Sequence, residues 1–287
     1  MSRKIMAIFL GIGAFLVVVL LGVGLKLSSD IKDKLEESLN IIAKRIHATP
    51  FTCTGFKNIT CTSAGISDKI EGIHVRLAPV KSNALQFHID LPKIHASKPW
   101  MPQSANCVVD LSLKEVLLGQ NMCHFKSPNL TYQVSLNARL KDSHQPINLS
   151  NLLGSQVQTK DLEVLVEKLG VKLQSKDFRT ILYPILQQSG DIQNKEFDAQ
   201  AYDKALNQIN TSFQGTTMVM LLMAGLQDEV SKVQELSKNF LAFAKNERDH
   251  VGVELISKDQ TYKRLEDLIN SKDYWEYLPH FTLKVLP

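Results

Sequence analysis

The sequence predicts an α+β protein. An N-terminal transmembrane helix comes first, then a one-sided antiparallel β-meander covered by a helical insert, then a strand-helix-strand segment that rejoins the sheet. Three observations predict it. Residues 5–25 form an unbroken apolar run between Lys4 and Lys26. Several stretches between residues 51 and 141 alternate apolar and polar side chains, the mark of strands with one buried face. From about residue 148 the apolar spacing changes to three and four, the mark of amphipathic helices.

The apolar run of residues 5–25 holds 21 residues. At about 1.5 Å rise per residue, a bilayer core of roughly 30 Å needs about 20. It is longer than the roughly 7–15 residues of a signal-peptide core, and no A-x-A cleavage site follows it, so an uncleaved anchor is expected. Basic residues lie on both flanks: Arg3 and Lys4 before it, Lys26, Lys32, Lys34, Lys44 and Arg45 after it. The charge rule alone therefore does not orient the anchor.

The cysteines do. Cys53 and Cys61 stand in C-x7-C spacing, Cys107 and Cys123 in C-x15-C spacing, neither of them a zinc or redox spacing. Each pair brackets a turn signal, residues 55–58 in the first and 119–121 in the second. Two hairpins, each with a local cross-strand disulfide, fit this pattern and an oxidising compartment. Four buried free thiols are the alternative that the spacing leaves open. With disulfides, the expected organisation is a cytoplasmic N-terminus (1–4), a transmembrane helix (5–25), an amphipathic helix (26–48) and an extracytoplasmic α+β domain (49–287). That domain divides into β-rich (51–141), helical (148–248) and strand-helix-strand (249–287) parts.

The chain beyond the anchor begins with a helix over residues 28–47. Ile31, Leu35, Leu39, Ile42 and Ile46 make one apolar stripe, and Thr49-Pro50 ends it. Strands follow where Ile73, Val75 and Leu77 alternate with polar residues, then Leu85, Phe87, Ile89 and Leu91, then Val109, Leu111 and Leu113. The longest alternation covers residues 130–141, with Leu130, Tyr132, Val134, Leu136, Ala138 and Leu140 on one side. Pro92, Pro99 and Pro102 punctuate the link between two strands.

Helices are expected next. Leu149, Leu152 and Leu153 begin a short one. Leu162, Leu165, Val166 and Leu169 form another, with Gly170 as its cap. Phe178 to Leu186 gives a third, kinked or split at Pro184, and Asp198 caps a fourth carrying Tyr202, Leu206, Ile209 and Phe213. The longest is expected over residues 216–246. Its stretch 218–226 is apolar on every side, yet nine residues cover only about 14 Å, half a membrane span. A centrally buried helix is the expectation there. Val251, Val253 and Leu255, a short helix with Leu265 and Leu268, and Phe281, Leu283 and Val285 close the chain. The strand, Lys-Asp turn and leucine-bearing helix of residues 254–271 repeat the pattern of 138–155, which places the final strands in the same sheet.

This layout resembles that of uncharacterised single-pass inner-membrane proteins of bacteria with a periplasmic domain, and of AsmA-type envelope proteins. The resemblance implies a domain on the periplasmic side of the inner membrane, and it brings no catalytic residue with it.

Composition and motifs restrict the function classes. The chain has 287 residues and a net charge of +4, with basic residues dispersed, so no footprint for nucleic acid is present. G-x-S-x-G, G-x-x-x-x-G-K, G-x-G-x-x-G and H-E-x-x-H are all missing from the sequence. No catalytic residue, metal site or cofactor is expected. His74, His88, His95 and Asp90 are read as residues of a solvent face, because they lack ligand spacing. The expected function is a membrane-anchored, non-enzymatic envelope protein that binds a protein partner or organises the envelope. The alternative is a lipid-binding or lipid-transfer module, with the apolar sheet face and helix 216–246 lining a groove. Met218, Leu221, Leu222, Met223 and Leu226 would be its lipid-facing residues. Tyr274, Trp275 and Tyr277 form an aromatic patch. It is a candidate partner or membrane-interface contact, although packing on the core as a helix cap is the more ordinary reading.

Overall fold

The computed structural model describes residues 31–79, 83–98, 100–113, 116–142, 161–194, 196–223, 225–265, 267 and 274–286. The expected anchor at 5–25 lies outside the described residues. Among those described, no helix is long and apolar enough to cross a membrane.

The first element is helix α1 (Ile31–Ile46). Twelve strands follow in one antiparallel sheet: β1 (Thr52–Thr54), β2 (Ile59–Ile66), β3 (Ile70–Leu77), β4 (Ala84–Leu91), β5 (Lys93–Ile94), β6 (Ser104–Leu113), β7 (Leu117–Lys126), β8 (Thr131–Asp142), β9 (Leu162–Gln174), β10 (His250–Ser257), β11 (Lys263–Arg264) and β12 (Phe281–Leu286). Its order is β1-β2-β3-β4-β6-β7-β8-β9-β10-β12, with β5 on β3 and β11 on β9. Strands adjacent in sequence are adjacent in space, so this is the expected meander, and β10 and β12 do rejoin the same sheet. Helices α2 (Arg179–Ser189), α3 (Ala199–Met223) and α4 (Val230–Ala244) are inserted between β9 and β10.

Register rows can be followed across the whole sheet, with one shift between β8 and β9. One row of partners passes from Ile59 and Leu77 through Phe87, Val109, Asn121 and Leu136 to Leu169, Leu255 and Leu283. The next row on the same face holds Cys61, Val75, Ile89, Cys107, Cys123, Val134, Val171, Val253 and Val285. Partners in register share a face. One face is therefore apolar along these rows except at Asn121, which is buried in β7. The other carries polar partners such as Gln86 with Asp110 and Asp90 with Asn106.

The four α-helices of the described residues lie on the apolar face. α1 packs on β1 and β2 through Leu35, Leu39 and Ala43. α4 packs on β10 and β12, and Phe178, Tyr202, Leu206, Phe243 and Val251 build a second cluster under the insert. Tyr132 borders both clusters, so the core is continuous along β8. α2 continues through Pro184 without splitting and ends at Gly190. Asp198 caps α3 as expected, its carboxylate accepting from the backbone N–H groups of Gln200 and Ala201.

Three expectations are corrected. The helix expected at Leu162, Leu165, Val166 and Leu169 is instead strand β9. The pairs Asn137–Lys168 and Ala138–Val166 leave Glu167 as an extra residue, a β-bulge. The bulge shifts the phase of the strand, so its apolar face reads 162, 164, 166 and then 169, 171, 173. Gly170 is not a helix cap. It sits in β9 facing Ser135, where a Cβ would lie 2.5 Å from the Ser135 hydroxyl. The helix expected over 216–246 is two helices. α3 runs into it from Ala199 and stops at Gly225, whose φ of +70° reverses the chain before the 3-10 turn Gln227–Glu229 and α4. The short helix expected around Leu149 lies outside the described residues. In the one expected around Leu265, Lys263 and Arg264 form β11.

Candidate functional site

The cysteines are brought together as expected. Cys53 faces Cys61 in the β1–β2 register with Cα atoms 3.9 Å apart, and Cys107 faces Cys123 in β6–β7 with Cα atoms 4.0 Å apart. Both are disulfides, and no described cysteine is free. All four lie in the same register row on the buried apolar face. The turn within the second pair is not at 119–121. β6 ends at Leu113 and β7 begins at Leu117, so Gly119 to Asn121 belong to β7.

The apolar rows are not covered evenly. Across β2 to β6 they are almost fully buried, with Leu77, Phe87 and Val109 each at most 1% exposed. Beyond β7 the same rows stay apolar, but Leu136, Leu169, Val253, Leu255, Leu283 and Val285 are only half-buried, and Val171 is 38% exposed. This half-covered strip on β8, β9, β10 and β12 is the candidate site. Beside it, a small hollow is lined by Val109, Leu111, Leu117, Leu136, Ala138 and Leu140. It is open but narrow, with room for about one water.

Glu229 fixes one edge of the strip. It lies in the 3-10 turn before α4 and is 5% exposed. Its carboxylate accepts the Leu283 N–H at 3.0 Å and faces the ammonium groups of Lys232 at 3.2 Å and Lys258 at 3.5 Å. Burial pushes its pKa up, but the Leu283 N–H and the two lysines outweigh burial and hold it below the ordinary value. On the polar face, Glu254 is held below the ordinary carboxylate range, first by the Lys168 hydrogen bond at 2.9 Å and further by Lys284.

The residues expected to face a lipid are divided. Met218 and Leu221 line a shallow hollow of about 170 Å³ between α3 and α4, with Val230 and Val233 opposite. Leu226 is buried. Leu222 and Met223 point to solvent, which overturns the expected centrally buried helix. The reason is the reversal at Gly225: this stretch is the end of a helical hairpin, and among the described residues no further layer covers it. None of the five lines the hollow on the sheet face. Tyr274, Trp275 and Tyr277 lie in a 3-10 turn, Tyr274–His280, that leads into β12, and Tyr277 is half-buried.

His74 and His95 are exposed and His88 is half-buried, with His95 against Glu71 at 2.8 Å. Among the described residues, no group of three His, Cys, Asp or Glu side chains could hold a metal ion. What sequence reading missed is the half-covered strip. Leu169 falls in the helix expected there and Val171 beyond its cap, and only their pairing shows them to extend the apolar rows.

No protein-family model matches this chain, and no curated protein matches its sequence.

Proposed function

We propose that this chain is a single-pass membrane protein. Residues 5–25 are its anchor, and its sheet domain lies in an oxidising extracytoplasmic compartment, the periplasm in a bacterial cell. There it acts as a non-enzymatic protein that binds a partner in the envelope. The observation that carries the compartment is the pair of cross-strand disulfides on the apolar face, since such bonds persist where thiols are not kept reduced. The half-covered strip supports the binding role, because a contiguous apolar surface left incompletely covered on a folded domain is where a partner can dock. Thiol alkylation in native membranes tests the compartment. The protein is denatured without reductant and treated with a maleimide-polyethylene glycol. No mass shift is expected until reductant is added; four shifts without it would overturn the reading.

A second reading is favoured by the chemistry of the strip, where every side chain named is aliphatic: an acyl chain lies along it. Native mass spectrometry of the full-length protein released from gentle detergent separates the two readings. A co-purifying phospholipid that is lost in Val171→Glu supports the lipid reading. A chain that flies without lipid, and whose protein partner is lost in Val171→Glu, supports the first.

A further inference from the structure

We infer that the domain rests on the bilayer by one particular end of its sheet, with Phe56 and the end of α3 dipping into the lipid. The reasoning starts from the direction of α1. Glu36 accepts the Cys53 N–H at 2.7 Å, Asn40 accepts the Phe51 N–H at 2.6 Å, and Ala48, just past the helix, bridges to Ile66. α1 therefore runs from the β1–β2 turn toward the opposite end of the sheet. Its first residue, Ile31, lies at the end where that turn lies, here termed the proximal end. The apolar sequence of residues 5–25 joins the domain there.

The insert has the same polarity. Glu229 meets Leu283, which is in the register row of Ile59. From there α4 leads to His250, the first residue of β10 at the distal end. α3 is antiparallel to α4, since the Tyr202 hydroxyl donates to the Ala244 carbonyl at one end and Met218 and Leu221 meet Val230 and Val233 at the other. α3 thus ends at the proximal end. The 3-10 turn Tyr274–His280 is there as well, because it enters β12 at Phe281, the partner of Ser257.

Exposure singles out the same end. Among the described large apolar side chains, the two most exposed are Phe56 in the β1–β2 turn, at 86%, and Met223 at the end of α3, at 84%. Nine strand-to-strand steps separate the two edges of the sheet, about 40 Å along it at roughly 4.8 Å per step. Carried at opposite edges of the sheet, they do not share a pocket; a bilayer plane would touch both.

The surface of α3 decides what that plane is. Ile209, Phe213, Val219, Leu222 and Met223 are exposed. At about 100° per residue they occupy roughly half of the helix circumference. No charged residue occurs from 205 to 227. A helix seam for a second copy would be narrower and flanked by charged positions. An uncharged surface on which these side chains alternate with exposed Ser212, Gly215 and Thr216, and which turns apolar over Val219, Leu222 and Met223 at the helix end, matches the boundary between headgroups and acyl chains. The proximity of a bilayer rests on the anchor proposed above; the choice of end rests on the fold.

The test uses the full-length protein in phosphatidylcholine–phosphatidylglycerol vesicles. A nitroxide is attached at Phe56→Cys, Leu222→Cys or Met223→Cys, and at Glu247→Cys as an exposed distal site between α4 and β10. Power saturation reads collision with oxygen, which concentrates in lipid, against a water-soluble nickel chelate. The oxygen-to-nickel ratio is expected to be severalfold higher at positions 56, 222 and 223 than at 247. Equal ratios at all four positions would place this end in water and overturn the inference. Immobilised labels shielded from both reagents would place it against protein and overturn it too. Flotation of the same vesicles keeps the two readings apart. Floating vesicles with wet labels sink this inference and leave the anchor standing; protein that does not float sinks both.

Discussion

Replacing Glu229 probes how the helical insert is clasped to the sheet. Glu229→Ala deprives the Leu283 N–H of its acceptor and leaves Lys232 and Lys258 facing an empty site. A hydrogen bond to a charged acceptor is worth about 1.5–3 kcal/mol. The two lysines are more than a third exposed, so solvent screens them and together they add at most about 1 kcal/mol. The expected loss is therefore about 2–4 kcal/mol for Glu229→Ala. Glu229→Gln keeps an acceptor oxygen and is expected to lose about half as much. Guanidinium denaturation of the full-length protein in micelles reads the loss, and hydrogen exchange of residues 281–286 shows whether it begins at β12. The pH dependence has a definite sign. The folded carboxyl titrates below its ordinary value of 4.5, so the unfolded chain takes up the proton first as pH falls. The stabilisation is complete above about pH 4.5 and is lost as pH falls through the folded pKa. The gap between wild type and Glu229→Gln should close over that acidic range. A Glu229→Ala protein within about 0.5 kcal/mol of wild type, with unchanged exchange at β12, would refute the clasp.

The two disulfides should differ in worth because they close chain segments of different length, 8 residues for Cys53–Cys61 and 16 for Cys107–Cys123. Loop-closure entropy predicts about 2.5 and about 3 kcal/mol for their removal as double serine variants, measured by denaturation without reductant. Gly170→Val should destabilise by about 1–3 kcal/mol, because its first side-chain atom would meet the Ser135 hydroxyl at 2.5 Å. The companion Ser135→Gly should recover part of that loss in the same denaturation assay.

Much of this fold is legible in the sequence because its two simplest signals are strong. Alternation found β3, β4, β6, β8, β10 and β12, since one face of each meets the core and the other meets water. The cysteine spacing found both hairpins, because a cross-strand disulfide needs two residues in register. β9 was hidden by a single residue. Glu167 bulges out, the apolar phase changes from even to odd, and Leu162, Leu165, Val166 and Leu169 then fall at helical spacing. The candidate strip was hidden with it. The stretch 218–226 illustrates the opposite limit. Its composition is that of a buried helix, and local pattern has no term for the absence of an element above it.

By itself the sequence determined most of the one-sided strands, the pairs in which the cysteines could join, and that an apolar run of membrane-spanning length precedes the domain. Those properties depend on side-chain order over a few residues. The tertiary structure alone decided that the apolar rows extend from β2 to β12, that their cover thins beyond β7, and that Phe56 and Met223 lie toward the same end of the strands. These depend on which segments lie beside one another, and that is settled by pairing between residues far apart in the chain.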